Sequence, residues 1–184
     1  QNFSQVTNPP IDSLREFRVM SLKTRFGNLK NVLDESSAQT EILVWDSPFL
    51  ANAQFDQLMG VFNADSVTID CTFAPGGTNL SESLRRIREE AEDAVRSGAG
   101  HIVLTDQFSG DGRVAMIGCG ATVVNAYLAE DSLADRIERG LLDVNLTTAT
   151  ARYREAIDQG LLKIMAKMGI SVISSYRGGL NFEA

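Results

Sequence analysis

Residues 79–106, NLSESLRRIREEAEDAVRSGAGHIVLTD, hold a helix and a strand in one run, and how the two join decides the fold class. Asn79 stands where a helix cap is needed, and Glu82 takes the capping-box position three residues on. Leu80, Leu84, Ile87, Ala91 and Ala94 then recur at three- and four-residue steps until Gly98 stops the pattern. HIVLTD (101–106) follows as a strand. Working outward, SVTIDC (66–71) is another strand, NAQFDQLMGVFN (52–63) a helix with Phe55, Leu58, Met59 and Phe62 on one face, and EILVW (41–45) a first strand. Residues 41–106 therefore read as βαβαβ. Their apolar runs are continuous rather than alternating, which predicts burial on both faces and hence an α/β fold with a mainly parallel sheet covered by helices.

Downstream the rhythm changes. QFSGDGRV (107–114) is a glycine-bearing turn segment, and AMIGCGATVVNAYLAED (115–131) becomes helical in its second half. The next helix, 146–168, carries Leu146, Ala149, Tyr153, Ile157, Leu161, Ile164 and Met168 on one stripe, with Asn145 as cap and Gly169 as stop. ISVISS (170–175) reads as a final strand. Residues 1–40 form a leader with Pro9-Pro10 and a short helix ending in Val19-Met20-Ser21-Leu22. The missing initiator methionine and the abrupt close at RGGLNFEA (177–184) are read together as marks of an excised segment.

With 184 residues the chain is treated as a single α/β domain, large enough to bury a core without staples. A net charge of -7 and a pI near 4.7 argue against a nucleic-acid partner, because the arginines of residues 85–96 are matched by acids and form a solvated face. No apolar run is long enough for a bilayer, so no membrane partner is expected. Cys71 and Cys119 form no Cys-x-x-Cys, which fits a reducing, cytoplasmic setting without structural zinc.

The candidate chemistry is sparse. His101, the single histidine, opens a strand without an identifiable orienting partner and reads as structural. The turn at Gly118-Cys119-Gly120 offers backbone N–H groups before a helix, yet lacks a third glycine and a ribose-binding acid, and close packing explains it equally. Asp70 and Asp106 end strands where α/β sheets place ligand sites, but turn capping is the simpler account. Gly77-Thr78 could cradle an anion, although Glu82 is better explained by capping. Met165 and Met168 belong to the core stripe. No nucleophile, base and oxyanion site assemble. The residues alone leave open a stand-alone α/β domain that binds a small phosphate-bearing ligand.

FSQVTNPPIDSLREFRVMSL (3–22) and GLLKIMAKMGISVISSYRGGLNFEA (160–184) resemble the large subunit of glutamate synthase, close to the bacterial NADPH-dependent type, and DCTF, REEAEDAVRSGA, IVLTD and GCGATVVNAYLA follow that family in order. The resemblance covers nearly the whole chain and falls on the central domain, an incomplete (βα) barrel-like relative of the flavin barrel that is not known for catalysis. It implies a parent that turns glutamine and 2-oxoglutarate into two glutamates. That parent has an amidotransferase domain and an FMN domain in the same chain, iron–sulfur clusters, and a small partner subunit supplying FAD and NADPH. It implies no cofactor, metal or catalytic residue in this chain. It further implies that Arg18, Val19, Met20, Ser21, Leu22, Lys23 and Thr24 line an ammonia tunnel, behind an extended stretch held by the proline pair. The family has a longer stretch between its counterparts of IVLTD and GATVVNAYLA. Residues 107–114 therefore read as a deletion junction closed by a turn, and the chain as an engineered, minimised fragment without activity of its own. Leu180, where the family has a polar residue or cysteine, is read as repacking of newly exposed surface.

Overall fold

Between the cap predicted at Asn145 and the stop predicted at Gly169, the chain forms a helix over Leu146–Met168. The computed structural model describes residues 10–27, 33, 40, 42–73, 80–107, 114–115 and 121–177. Its elements in order are α1 (Ser13–Val19), β1 (Thr24–Phe26), β2 (Leu43–Trp45), β3 (Phe49–Leu50), α2 (Asn52–Phe62), β4 (Ser66–Asp70), β5 (Thr72–Phe73), α3 (Leu80–Arg96), β6 (His101–Thr105), β7 (Val114–Ala115), β8 (Val124–Asn125), α4 (Tyr127–Glu138), α5 (Leu146–Met168) and α6 (Ile173–Tyr176). The chain gathers into two compact units, one comprising Gln1–Phe26, Leu43–Phe55 and Gly120–Ala184, the other Gly27–Ile42 and Asp56–Cys119.

In the first unit α5 is the organising element. Asn145 accepts a hydrogen bond from the Thr148 N–H at 2.8 Å, and Gly169 closes the helix at φ 73°. The Ile170 N–H donates to the Met165 carbonyl at 2.9 Å and the Gly169 N–H to the Ala166 carbonyl at 3.3 Å, the paired C-terminal bonds that a left-handed glycine permits. Ala149, Thr150, Met165 and Ala166 are its buried residues. The stripe read from the sequence is corrected here: Leu146, Ile157, Ile164 and Met168 are exposed. The first half of α5 packs toward Phe49, whose ring meets Tyr153 edge-on at 5.7 Å, and the second half packs toward the leader, on a different face. A single averaged stripe cannot follow that change of face. β3 pairs in parallel with β8, and the Glu130 carboxylate of α4 accepts from the Asn52 N–H at 2.8 Å, satisfying a donor at the start of α2.

The second unit contains the predicted strand–helix–strand. β4 and β6 pair in parallel over five residues, Ser66 opposite His101 through Asp70 opposite Thr105, with α3 crossing between them. The α/β class and its parallel pairing are borne out, and no barrel closes among the described residues. Burial on both strand faces is not what the structure shows, because Val67, Ile102 and Leu104 remain exposed while Ile69 is buried. On α3, Leu80 and Leu84 are exposed whereas Ser83 and Ala94 are buried. Arg86 explains the rotation: its guanidinium donates to the Asp70 carbonyl at 2.8 Å and the Thr72 carbonyl at 3.3 Å, which turns the Ser83–Arg86–Ala94 side toward the strands.

Two other strands differ from expectation. The segment predicted at 41–45 contributes Leu43–Trp45, which pairs antiparallel with β1 rather than joining a parallel sheet. ISVISS makes a single parallel bridge, Ser21 to Val172, and then a helical turn, α6. One residue of the leader is the available partner, so the ladder ends as soon as that residue is used. Residues 1–9, Asn79, Gly77-Thr78, Cys119, Leu180 and most of 107–114 lie outside the described residues.

Asn145→Ala removes the side-chain acceptor at the start of α5 and is expected to lower stability by about 1 kcal/mol in urea unfolding without changing the slope of the transition.

Candidate functional site: the leader seated on the end of α5

The segment from Pro10 to Thr24 is assembled from local signals first. Asp12 accepts from the Leu14 and Arg15 N–H groups, both at 3.0 Å, and thereby starts α1. The signal for this cap is local, an Asp before an apolar–polar run. α1 ends at Val19, with the Met20 N–H returning to the Glu16 carbonyl at 2.9 Å. Beyond it the chain is extended and tied at both faces of Ser21: its N–H donates to the Ser171 carbonyl at 2.8 Å, and its carbonyl accepts from the Ile173 N–H at 3.0 Å. Upstream, Pro10 lies against Gly169, where an added Cβ would stand 3.2 Å from the proline ring, and the Ile11 N–H reaches the Ala166 carbonyl.

The side chains of residues 18–24 then divide by face. Leu22 is buried in a cluster with Met165 and Ile173, flanked by Met20, Leu161, Leu162, Ile170 and Tyr176. Thr24 is buried too, and its hydroxyl donates to the Thr122 carbonyl at 3.3 Å. Arg18, Val19 and Lys23 are exposed, and Met20 and Ser21 half-buried. The Arg18 guanidinium lies 5.4 Å from the centre of the Phe17 ring, and the Lys23 ammonium is 3.9 Å from Asp46. The tract is thus a fixed backbone with a buried inner row and an accessible outer row.

The remaining candidates resolve into structure. Asp70 accepts from the Thr72 N–H at 2.8 Å and its hydroxyl at 2.7 Å, the turn-capping role weighed in the sequence. At the end of β6 the capping acceptor is Thr105, whose hydroxyl receives the Gln107 N–H at 3.2 Å. His101 acquires the neighbour that the sequence did not identify. Its Nδ1 is 3.6 Å from Asp65, and its ring stacks on Phe62 at 4.2 Å. Asp65 also accepts from the Gly100 N–H at 3.0 Å, and its carboxylate fills the space that a side chain at Gly100 would need. The group joins the start of β4 to the start of β6. Nothing in sequence spacing signals it, since Asp65 and His101 meet only because the strands pair. Met165 is buried as predicted; Met168 is exposed. Among the described residues no group of three or more metal-ligating side chains occurs, and no helix is long and apolar enough to cross a membrane.

Cys71 is 4% exposed, between β4 and β5. Burial pushes its thiol above the ordinary value, while a backbone bond at Thr105 and the Arg86 charge act in the opposite direction.

The chain fits a family model described as the glutamate synthase central domain, over residues 1–117 and 112–184. It belongs to that family. It is 49% identical to the large chain of NADPH glutamate synthase from Azospirillum brasilense over 227 aligned positions, 31% to that of Bacillus subtilis over 226, and 32% to the NADH glutamate synthase of Schizosaccharomyces pombe over 235. All of this chain is covered in each case. It spans 15% of the length of the two bacterial proteins and 11% of the yeast one. The Azospirillum alignment has 227 positions for 184 residues here, so the glutamate synthase chain carries about 43 positions without a counterpart. The two matched pieces meet at residues 112–117, at the edge of the junction read from the sequence at 107–114. The Cys71 N–H donates to the Thr105 carbonyl at 2.9 Å, and from the next residue on β5 pairs antiparallel with β7.

Leu22→Ala should cost about 3 kcal/mol in urea unfolding because it empties a site closed by Met165 and Ile173, whereas Val19→Ala should stay within about 0.5 kcal/mol. Cys71 gives a pH test. The folded thiol keeps its proton above the pH at which the unfolded one, near 8.5, releases it, so between those values the unfolded state binds fewer protons. Stability is expected to fall as pH rises from about 8.5 through the folded value, and this fall in the thermal midpoint should flatten in Cys71→Ala.

Proposed function

We propose that this domain serves a glutamate synthase large chain as a non-catalytic framework, and that residues 18–24 form one wall of the passage that carries ammonia from the amidotransferase site to the flavin site. The observation that carries the reading is the double tie at Ser21 together with the burial of Leu22 and Thr24. Backbone held at that tightness keeps an opening of constant width. The outer row, Val19 with the half-buried Met20 and Ser21, has no acid or base to take up or release a proton at neutral pH. Ammonia must remain unprotonated to attack a carbonyl carbon, and a wall without carboxylates does not favour the ammonium ion. Arg18, at one end of the row, acts in the same direction by repelling a cation, while the Lys23 charge at the other end is offset by Asp46.

On this reading the parent's glutamine and 2-oxoglutarate chemistry, its FMN, iron–sulfur clusters, FAD and NADPH, and its small partner subunit all lie outside the chain, which works in the cytoplasm. The shortened connection at 107–114 makes it a minimised, engineered form of the domain. Purified alone, the chain should neither hydrolyse glutamine nor bind FMN tightly; turnover of any substrate would sink the framework reading.

The tunnel reading has its own test in a full-length large chain. Replacing the residue that matches Met20 by Trp should leave glutamine hydrolysis and synthesis from added ammonia intact. Glutamine-dependent glutamate formation should fall about tenfold, with the missing nitrogen released as free ammonia, a change of about 1.4 kcal/mol in the coupled step. Unchanged coupling would remove residues 18–24 from the passage.

A further inference from the structure

Among the described residues β6 has one strand neighbour, β4, and its other edge carries none. The chain on either side supplies no strand there: α3 precedes β6, and the next strand, β7, pairs with β5. One bond fixes the direction of the backbone groups. Thr105 turns its carbonyl to the β4 side, where it accepts from the Cys71 N–H at 2.9 Å. Backbone groups alternate in direction along a strand, so His101 and Val103 turn the same way, and the N–H and C=O of Ile102 and Leu104 point away from β4. Those outward groups have no backbone partner among the described residues.

Strands left open in this way ordinarily carry a charged side chain, a proline or a bulge that prevents pairing. HIVLT (101–105) pairs with β4 in unbroken register and has neither lysine nor proline; its one titratable side chain, His101, is turned toward Asp65. The adjoining face is apolar too, because Ile102 and Leu104 lie on the same side of the ladder as Val67, and all three are exposed. The family model breaks into its two matched pieces at 112–117, shortly after this strand, and the Azospirillum alignment holds more positions than this chain has residues. The bare edge therefore belongs to the strand just before the place where the longer chain has residues that this one lacks.

We infer that β6 is a self-association edge, and that a second copy of this chain pairs with it antiparallel about Val103. The strand is complementary to itself in that register. Ile102 lies opposite Leu104 of the second copy, and the two exchange their outward N–H···O=C bonds; by symmetry Leu104 and the second Ile102 do the same. Val103 faces Val103 as the pair without hydrogen bonds, and His101 faces Thr105, so no two ionised side chains of the strand are opposed. The two ladders become one continuous sheet, with Val67, Ile102 and Leu104 of both copies along its apolar side. The contact uses the same surface of each copy about a two-fold axis, so it closes at a dimer.

Sedimentation of the purified chain from micromolar to millimolar concentration should show a monomer–dimer equilibrium. Both copies carry a net charge of -7 and the contact is apolar, so added salt should strengthen it. Ile102→Lys places a charge on the open edge, and Leu104→Pro removes an outward N–H while leaving the bonds to β4; each should weaken dimerisation about tenfold or more. Val61→Lys, on the exposed surface of α2, should leave it unchanged. Circular dichroism establishes that the variants are folded. The register is read by Val103→Cys in a chain that also carries Cys119→Ser: residues facing each other without hydrogen bonds stand about 4.5 Å apart at Cα, within reach of a disulfide. Oxidation should cross-link that variant to itself, whereas Thr68→Cys on β4 should stay uncross-linked. A chain that remains monomeric throughout, a dimer that persists in both edge variants or weakens with salt, or cross-linking at 68 rather than 103 overturns the inference.

Discussion

The seating of Leu22 against Met165 and Ile173 is the contact on which the first unit depends. It joins the leader to two neighbouring stretches near the other end of the described residues, the last turn of α5 and the turn of α6. The two hydrogen bonds at Ser21 set the register of that contact, and Gly169 supplies the sharp helix exit that lets residues 170–173 double back to it. Withdraw the leucine and the leader keeps its backbone bonds at Ile11 and Ser21 and the Thr24 hydroxyl bond but loses the buried apolar contact between them. Much of this unit's order is thus invested in fixing a tract of extended backbone.

The second unit rests on a different constraint. Two parallel five-residue strands are joined at their starts by Asp65, Gly100 and His101, and Arg86 of α3 reaches the carbonyls of Asp70 and Thr72 where β4 ends and β5 begins. Of the residues weighed for a ligand site, Asp70 is engaged by Thr72 and His101 lies against Asp65 and Phe62. Thr105 and β7 both bond to the stretch that continues from Asp70, Thr105 through the Cys71 N–H and β7 through β5.

How much of this was legible depended on whether a signal was local. The limits of α5, its cap at Asn145 and its stop at Gly169 follow from residues within one turn of each end. The β4–α3–β6 order follows from runs of branched residues broken by glycine. The face that each helix buries was not legible. Ser83 and Arg86 rather than Leu80 and Leu84 turn inward on α3, because the Arg86 guanidinium, about two turns into the helix, finds the carbonyls of Asp70 and Thr72. On α5 the buried face changes midway, because Phe49 lies along one half and Leu22 along the other. The partner of His101 was invisible for the same reason, and so was the single-residue bridge that replaced the predicted final strand.

The sequence by itself determined the helices and their ends, the α/β class, and the family, since caps, periodicity and long matched stretches all act over neighbouring residues. Only the tertiary structure decided which side chains of residues 18–24 are inward and which outward, what the strand-end acids are bonded to, and which apolar side chains of α5 are left uncovered. Those outcomes turn on which distant segment arrives at a given face, and burial is a property of the pair rather than of either segment.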